Sequence, residues 1–108
     1  MTYALDEIRQ KIAPIAIKYQ LPAVYLFGSY ARGSANADSD LDFLVDTTGT
    51  ALRSLLSLGA LYAELEETFG KKINLITVSS LQQRAQMESE AQFCANILKE
   101  RVSVYAAA

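Results

Sequence analysis

Histidine and tryptophan are absent from this sequence, and cysteine occurs only once. A single cysteine excludes a disulfide within the chain, and the lack of histidine argues against a zinc site of the Cys/His kind. Cys94 has no histidine to activate it, so it is predicted to be a small buried hydrophobic residue. Basic residues are also scarce, with 10 Lys and Arg against 12 Asp and Glu. A broad contact with a phosphate backbone is therefore not expected, and nucleic acid is not predicted as a direct partner.

Long apolar runs are missing as well. No stretch is long enough to cross a bilayer, and the N-terminus lacks a basic segment followed by an apolar one, so a cytoplasmic protein without a membrane partner is expected. The 108 residues, of which 51% are hydrophobic and 20% are charged, have ordinary globular composition. We expect one domain spanning residues 1–108.

Short apolar runs predict three strands, and helical spacing of apolar residues predicts helices between them. The strands are expected at residues 23–27, 40–46 and 72–77. The first two helices are expected at residues 5–19, with Pro14 as a kink or a split, and at residues 52–69, with Gly70 as the C-cap. Another helix, capped by Ser79 or Ser80, is expected from Leu81 with a break near Glu90. It then continues to about Tyr105 before a frayed end. This order predicts an α+β fold with a small central sheet and helices packed on it.

The segment from Leu26 to Val45 carries the chemistry. Gly28 and Ser29 follow the first strand, and Asp40 and Asp42 begin the second strand after a polar loop. Ser29 is expected to cap a short helical turn that Gly33 ends.

Alternation along a strand places Asp40 and Asp42 on one face, roughly 7 Å apart. Two carboxylates repel each other unless a cation lies between them, and oxygen ligands of this type suit magnesium. Gly28 would let a phosphate approach the backbone, while Ser29 and Arg32 could donate hydrogen bonds to its oxygens. These residues together favour a site for a nucleoside triphosphate and magnesium, used in metal-assisted nucleotidyl transfer.

Gly28-Ser29, followed after ten residues by Asp40-x-Asp42 with Arg32-Gly33 between them, resembles the signature of the DNA polymerase beta-like nucleotidyltransferases. The small size and the Lys72 to Thr77 segment resemble the minimal nucleotidyltransferases of the MntA type. The resemblance implies a palm-like mixed sheet with helices on one face. It also implies magnesium-dependent transfer of AMP from ATP to a tyrosine of a HEPN-domain ribonuclease toxin, for which the protein is the antitoxin.

By the same resemblance, Asp40 and Asp42 are expected to hold the metal, and Gly28 and Ser29 to bind the triphosphate. Arg32 and Ser39 are also predicted to bind the nucleotide. The family places a third carboxylate on the next strand, and here Asn74 occupies that position. Alternation lets Asn74 point toward the aspartates. Its amide oxygen can bind a metal but is a poor base, so the catalytic set is predicted as Asp40, Asp42 and Asn74.

Three functions are compatible with this pattern. The first is a working adenylyltransferase that modifies a partner protein. The second is a catalytically weak or inactive module that neutralises its partner by binding. The third, transfer to a small molecule such as an aminoglycoside, is disfavoured because the larger enzymes of that kind use extra domains to bind the acceptor.

Overall fold

The computed structural model describes residues 2–52 and 54–107, in which four strands form one sheet with the order β3-β2-β1-β4. Strand β1 is antiparallel to β2 and β4, while β2 and β3 are parallel, so the predicted mixed sheet is confirmed. The elements in chain order are α1 (Leu5–Lys18), β1 (Ala23–Phe27), α2 (Gly28–Arg32), β2 (Leu41–Asp46), α3 (Leu55–Phe69), β3 (Ile73–Thr77), α4 (Val78–Ala85), a 3₁₀ turn (Glu88–Glu90), α5 (Ala91–Glu100) and β4 (Val102–Ala106).

Helix α1 runs unbroken through Pro14, so the possible split there is not observed. Ile8, Ile12 and Ile15 lie one turn apart and are buried, as their spacing predicts. Glu7 accepts a hydrogen bond from the amide of Ala4 at 3.1 Å, which satisfies one backbone donor at the start of the helix. Burial of the apolar stripe therefore outweighs the hydrogen bond that proline removes.

Helix α3 begins three residues later than predicted. The Ser54 hydroxyl accepts a hydrogen bond from the amide of Ser57 at 3.1 Å, and this cap sets the first turn. Leu55 and Leu56, predicted to belong to the buried stripe, are 89% and 87% exposed. Leu52 is buried instead, in the loop before the helix, where its amide donates to the Thr50 hydroxyl at 3.1 Å.

Helix α4 follows β3 without a loop. Its cap is Thr77, whose hydroxyl accepts from the amide of Ser80 at 3.1 Å, and not Ser79 or Ser80 as predicted. The helix ends at Ala85, so the expected break before Phe93 is confirmed.

The largest correction concerns residues 102–106, which were predicted as helix and a frayed end. They form β4, which pairs with β1 from Leu26↔Val102 to Ala23↔Ala106. The amide of Ala107 also donates to the carbonyl of Pro22 at 2.9 Å. Two valines and a tyrosine in five residues favour a strand, and β1 offers an edge for them to pair with. Ala108, the last residue of the predicted frayed end, lies outside the described residues.

Helices cover both faces of the sheet, which corrects the expectation of helices on one face. On β1, Val24 and Leu26 face one hydrophobic cluster, while Phe27 belongs to a second cluster. The first cluster contains the buried residues of α1 and α3, and the second contains Leu81 of α4 with Cys94 and Ile97 of α5. Cys94 is 1% exposed, which confirms its predicted place in the core. No helix within residues 2–52 and 54–107 is both long and apolar enough to cross a membrane.

Candidate active site

The site begins where β1 ends. Gly28 has φ of +74°, a left-handed conformation that side chains disfavour. It opens α2, and the residue in the N-cap position is Phe27, which has no capping side chain, so the predicted cap by Ser29 is wrong. Gly33 ends α2 in the left-handed conformation, as predicted, and the amide of Ser34 donates to the carbonyl of Ser29 at 2.9 Å.

Gly28 lies directly against the carboxylate of Asp42. The two strands pair with Phe27 opposite Asp42, which brings Gly28 beside that side chain. A Cβ atom at Gly28 would lie 2.0 Å from Oδ2 of Asp42, far inside van der Waals contact. The missing side chain therefore makes room for a carboxylate of the protein itself.

Three predicted side chains meet where β2 and β3 begin: Asp40, Asp42 and Asn74. The parallel pairing sets Asp42 directly beside Asn74. Nδ2 of Asn74 donates a hydrogen bond of 2.7 Å to Oδ1 of Asp42 and a longer one of 3.5 Å to Oδ2 of Asp40. Asp40 lies one residue before β2, which begins at Leu41. The structure therefore brings all three side chains together.

The pKa of Asp42 reflects its burial and the closeness of Asp40 and Asn74. Burial raises the pKa of the Asp42 carboxyl above its usual 3.8, and the negative charge of Asp40 raises it further. The hydrogen bond from Asn74 and the positive charge of Arg32 act in the opposite direction, but the net pKa shift is upward. Burial, together with the charge of Asp40, therefore makes the ionised form of Asp42 less favourable than it would be in water.

The donor set fits a divalent cation bound by two carboxylates. In the part of the chain that the structure describes, no cluster of three His, Cys, Asp or Glu side chains could hold a metal. Asn74 supplies the third polar group, and an amide oxygen is also a ligand for hard cations. Magnesium commonly uses one or two protein carboxylates and takes its other ligands from water and phosphate. Asp40 and Asp42 meet this requirement.

A cleft of about 660 Å³ opens beside these side chains. Its walls include Gly28, Arg32, Asp42 and Asn74 from the predicted site. Arg32 was expected to contact an anion from this side, and its Nη1 lies 3.2 Å from Oε2 of Glu100, a carboxylate of the protein. The ion pair between Arg32 and Glu100 therefore links α2 to α5 in the wall of the cleft.

Ser29 and Ser39 were predicted to bind the nucleotide. Neither is among the described residues that line the cleft. The hydroxyl of Ser39 accepts from the amide of Asn36 at 2.9 Å and stabilises the loop before Asp40. Ser29 is half-buried in α2.

Sequence reasoning missed five side chains that line the cleft, on α3, α4 and α5. The sequence contained a partial signal for them, because residues 93, 96 and 100 are spaced so that they lie on one face of a helix. The five are Tyr62, Arg84, Phe93, Asn96 and Glu100.

Known proteins resemble this chain in sequence. The Methanocaldococcus jannaschii protein named "Putative protein adenylyltransferase MJ0435" is 42% identical over 77 residues, which cover 71% of this chain and 81% of that protein. "Protein adenylyltransferase MntA" of Thermococcus cleftensis is 39% identical over 64 residues, which cover 59% of this chain and 63% of that protein. The second match therefore spans less than two thirds of its relative.

Solved structures show the same architecture. A chain from the complex of the tri-AMPylated Shewanella oneidensis HEPN toxin with its MNT antitoxin superposes with a TM-score of 0.65 and 16% identity, covering 95% of this chain and 73% of that chain. This likeness shows the fold. The profile of the family described as Polymerase beta, Nucleotidyltransferase matches residues 10–107. The chain therefore belongs to the polymerase beta nucleotidyltransferase family.

Proposed function

We propose that this protein is a magnesium-dependent adenylyltransferase that transfers AMP from ATP to a tyrosine of a partner HEPN ribonuclease toxin, and that it acts as the antitoxin of that partner. The observation that carries the proposal is the meeting of Asp40, Asp42 and Asn74 beside a cleft at the strand ends. Family membership and the adenylyltransferase relatives support it.

In this proposal Asp40 and Asp42 hold the metal ions. The bound metal would neutralise charge on the phosphates and on the pyrophosphate that leaves. Gly28, Ser29, Arg32 and Ser39 are proposed to bind the triphosphate. The closeness of Asp40 and Asp42, which both accept from the amide of Asn74, supports this assignment together with the raised pKa of Asp42, because a bound cation would relieve the repulsion between the two carboxylates.

The reaction is a single displacement at phosphorus. The phenolic oxygen of the acceptor tyrosine forms a bond to the α-phosphorus of ATP. The bond between that phosphorus and the bridging oxygen to the β-phosphorus breaks, and its electron pair leaves with pyrophosphate. The phenolic proton passes to water, since the Asn74 amide cannot accept it. Positioning and charge stabilisation are therefore the main contributions of this chain.

Asn74 also supports a second candidate function, a module that neutralises its partner by binding alone. Its amide donates to both carboxylates and carries no charge, so the site has one anionic ligand fewer than the family pattern. A weaker metal site would lower the rate of transfer and leave the interaction with the partner intact.

Mass spectrometry of the partner distinguishes the two functions. The protein is purified with its partner and incubated with ATP and magnesium, and the intact mass of the partner is then measured. We expect a mass increase of one or more AMP groups on tyrosine, absent without magnesium. A stable complex with an unmodified partner under these conditions would support the binding module and contradict the enzyme.

We also propose that the protein is cytoplasmic. The one thiol of the chain, Cys94, is buried and its Sγ lies 3.6 Å from the carbonyl of Leu81, which is compatible with a reducing compartment.

A further inference from the structure

We propose that Tyr62 is a modification site of this protein, to which the chain transfers AMP from ATP within its own cleft. The inference rests on the proposed function, because it uses the same nucleotide, the same aspartates and the same kind of acceptor group. It adds an acceptor that belongs to the chain itself and lies on α3, outside the Gly28 to Val45 segment.

Tyr62 lines the cleft into which Asp42 and Asn74 also project. In the part of the chain that the structure describes, no other tyrosine lines this cleft. The side chain is half-buried and packs against the first hydrophobic cluster, which includes Leu41 and Ile73. Leu41 pairs with Ile73 and lies between the two aspartates in sequence. The chain therefore has a tyrosine of its own in the wall of the proposed active site.

Two carboxylates act on the phenol of Tyr62. Burial raises the pKa of Tyr62 above its usual 10.0, and the negative charge of Glu66 and a hydrogen bond to it raise the pKa further. The charge of Asp40 acts in the same direction, so this carboxylate is close enough to interact with the phenol. Glu66 lies four residues after Tyr62, on the same face of α3. The phenol therefore interacts both with a proposed metal ligand and with a carboxylate that can accept its proton.

Tyr19 provides a comparison within the same molecule. It is also half-buried, and its hydroxyl donates to Oε1 of Glu64 on α3 at 3.0 Å. Burial raises the pKa of Tyr19, and the hydrogen bond to Glu64 raises it further. Tyr19 is not among the described residues that line the cleft, and the charge of Lys18 acts on it where that of Asp40 acts on Tyr62. The two tyrosines therefore share a glutamate partner and differ in access to the cleft.

The modification is a displacement at phosphorus. The phenolic oxygen of Tyr62 forms a bond to the α-phosphorus of ATP. The bond between that phosphorus and the oxygen bridging to the β-phosphorus breaks, and its electron pair leaves with pyrophosphate. The phenolic proton passes to the carboxylate of Glu66. An acceptor that is part of the chain needs no separate binding step, which lowers the entropic cost of bringing the reacting groups together.

Mass spectrometry of the full chain tests the proposal. The purified chain, alone and in complex with its partner, is incubated with ATP and magnesium, and its peptides are searched for tyrosine that carries AMP. We expect AMP on Tyr62 and none without magnesium. Tyr62→Phe should abolish this modification, whereas the matched control Tyr19→Phe should be modified as the wild type is. The modified fraction at a given time should not depend on protein concentration, because the site and the acceptor belong to the same chain.

A second measurement needs no transfer of AMP. The analogue α,β-methylene ATP has no bridging oxygen between its α- and β-phosphorus and does not release AMP to an acceptor. With magnesium present, it should protect Tyr62 from nitration by tetranitromethane, because the bound nucleotide covers the cleft wall. Tyr19 should be nitrated equally with and without the analogue. Circular dichroism confirms that each variant is folded.

Several results would overturn the assignment of Tyr62. AMP on the partner but not on Tyr62 would do so and would leave the proposed function intact. AMP on a different tyrosine of the chain, a modified fraction that rises with protein concentration, or nitration of Tyr62 that the analogue does not change would also overturn it. Failure of the proposed function is a separate result, in which neither the chain nor its partner gains AMP, and the inference then fails with it.

Discussion

Two polar clusters of this molecule differ in the partners of their carboxylates. On the side of α1 and α3, the carboxylate of Glu64 accepts hydrogen bonds from Lys18 at 2.8 Å and from Tyr19 at 3.0 Å. At the strand ends, Asp40 and Asp42 share the amide of Asn74. The first cluster pairs a carboxylate with a cation, whereas the second gathers two carboxylates around a neutral donor.

The pKa shifts follow this difference. The hydrogen bond from Lys18 is the main reason that the pKa of Glu64 is lowered, so folding favours the ionised form. Burial is the main reason that the pKa of Asp42 is raised, so folding disfavours its charge. The Glu64 cluster stabilises the fold slightly, as exposed ion pairs do. The ionised form of Asp42 costs stability, and carboxyl groups with pKa values perturbed in this way are concentrated at functional sites.

The largest expected effect is on AMP transfer, and it should appear when a carboxylate is removed from the aspartate cluster but not when one is removed from the Glu64 cluster. Asp42→Asn should lower AMP transfer to the partner by ~100-fold or more, because the proposed metal site would lose an anionic ligand. Glu64→Gln should leave transfer within about twofold of the wild type, because Glu64 lies outside the cleft. Quantifying the modified partner by intact mass over time measures both. Equal transfer by Asp42→Asn and the wild type would remove Asp42 from the site.

The second expected effect concerns the space beside Asp42. Gly28→Ala should lower the free energy of unfolding by ~1–3 kcal/mol from backbone strain alone, and more from the contact with Asp42. Gly33→Ala is the matched control, since Gly33 has a similar φ of +76° but no atom within 4 Å of its added Cβ. Urea denaturation gives both values. If the two variants lose equal stability, the contact with Asp42 contributes nothing.

A third change adds a carboxylate to the aspartate cluster, at the position where the resemblance predicts one. Asn74→Asp replaces a donor with a third carboxylate, so without magnesium the melting temperature should fall by a few degrees. Magnesium should stabilise this variant more than the wild type, because it binds the cation more tightly. AMP transfer should rise severalfold. Thermal melts with and without magnesium, together with the transfer assay, test this; a variant that resembles the wild type in both would show that Asn74 does not hold the third ligand position.

The smallest expected effect is the dependence of stability on pH in chelator-treated protein. The stabilisation by Glu64 should be present near neutral pH and lost as the pH falls through its lowered pKa, below the usual 4.5. Asp42 has the opposite sign, since its raised pKa means that ionisation lowers stability. Asp42→Asn should therefore be more stable than the wild type at neutral pH, and this advantage should fade as the pH falls through the pKa of Asp42, above 3.8.

Urea titrations at a series of pH values measure how the stability of Glu64→Gln and of Asp42→Asn differs from that of the wild type. The Glu64→Gln difference should be a few tenths of a kcal/mol at neutral pH. An advantage of Asp42→Asn that grows as the pH falls would contradict the assigned direction of the shift.

Much of the fold could be predicted because its local signals agree with the tertiary structure. Strand β1 was expected at residues 23–27 and is found there, since an apolar run stopped by Gly28 leaves little alternative. Gly33 and Gly70 end their helices in the left-handed conformation that glycine adopts most easily. Alternation along β3 predicted that Asn74 can point toward the aspartates, and the parallel pairing of β2 with β3 sets it beside Asp42.

The errors occurred where a long-range partner decided the outcome. Residues 102–106 fit a helical stripe by spacing, yet they form β4 because β1 offers backbone groups that pair with them. Leu55 and Leu56 match the apolar pattern of α3, but Leu52 takes the buried position. Helices cover both faces because α5 packs Cys94 and Ile97 against β1 and β2, which no local pattern specifies.

The sequence by itself determined the chemistry of the aspartate cluster, because residue type and alternation along a strand fix which groups share a face. The tertiary structure alone decided what surrounds that cluster. The carboxylate of Asp42 lies against Gly28, Arg32 contacts Glu100, and one side of α5 forms a wall of the cleft. These contacts join residues far apart in the chain, so they depend on how strands and helices pack and not on local spacing.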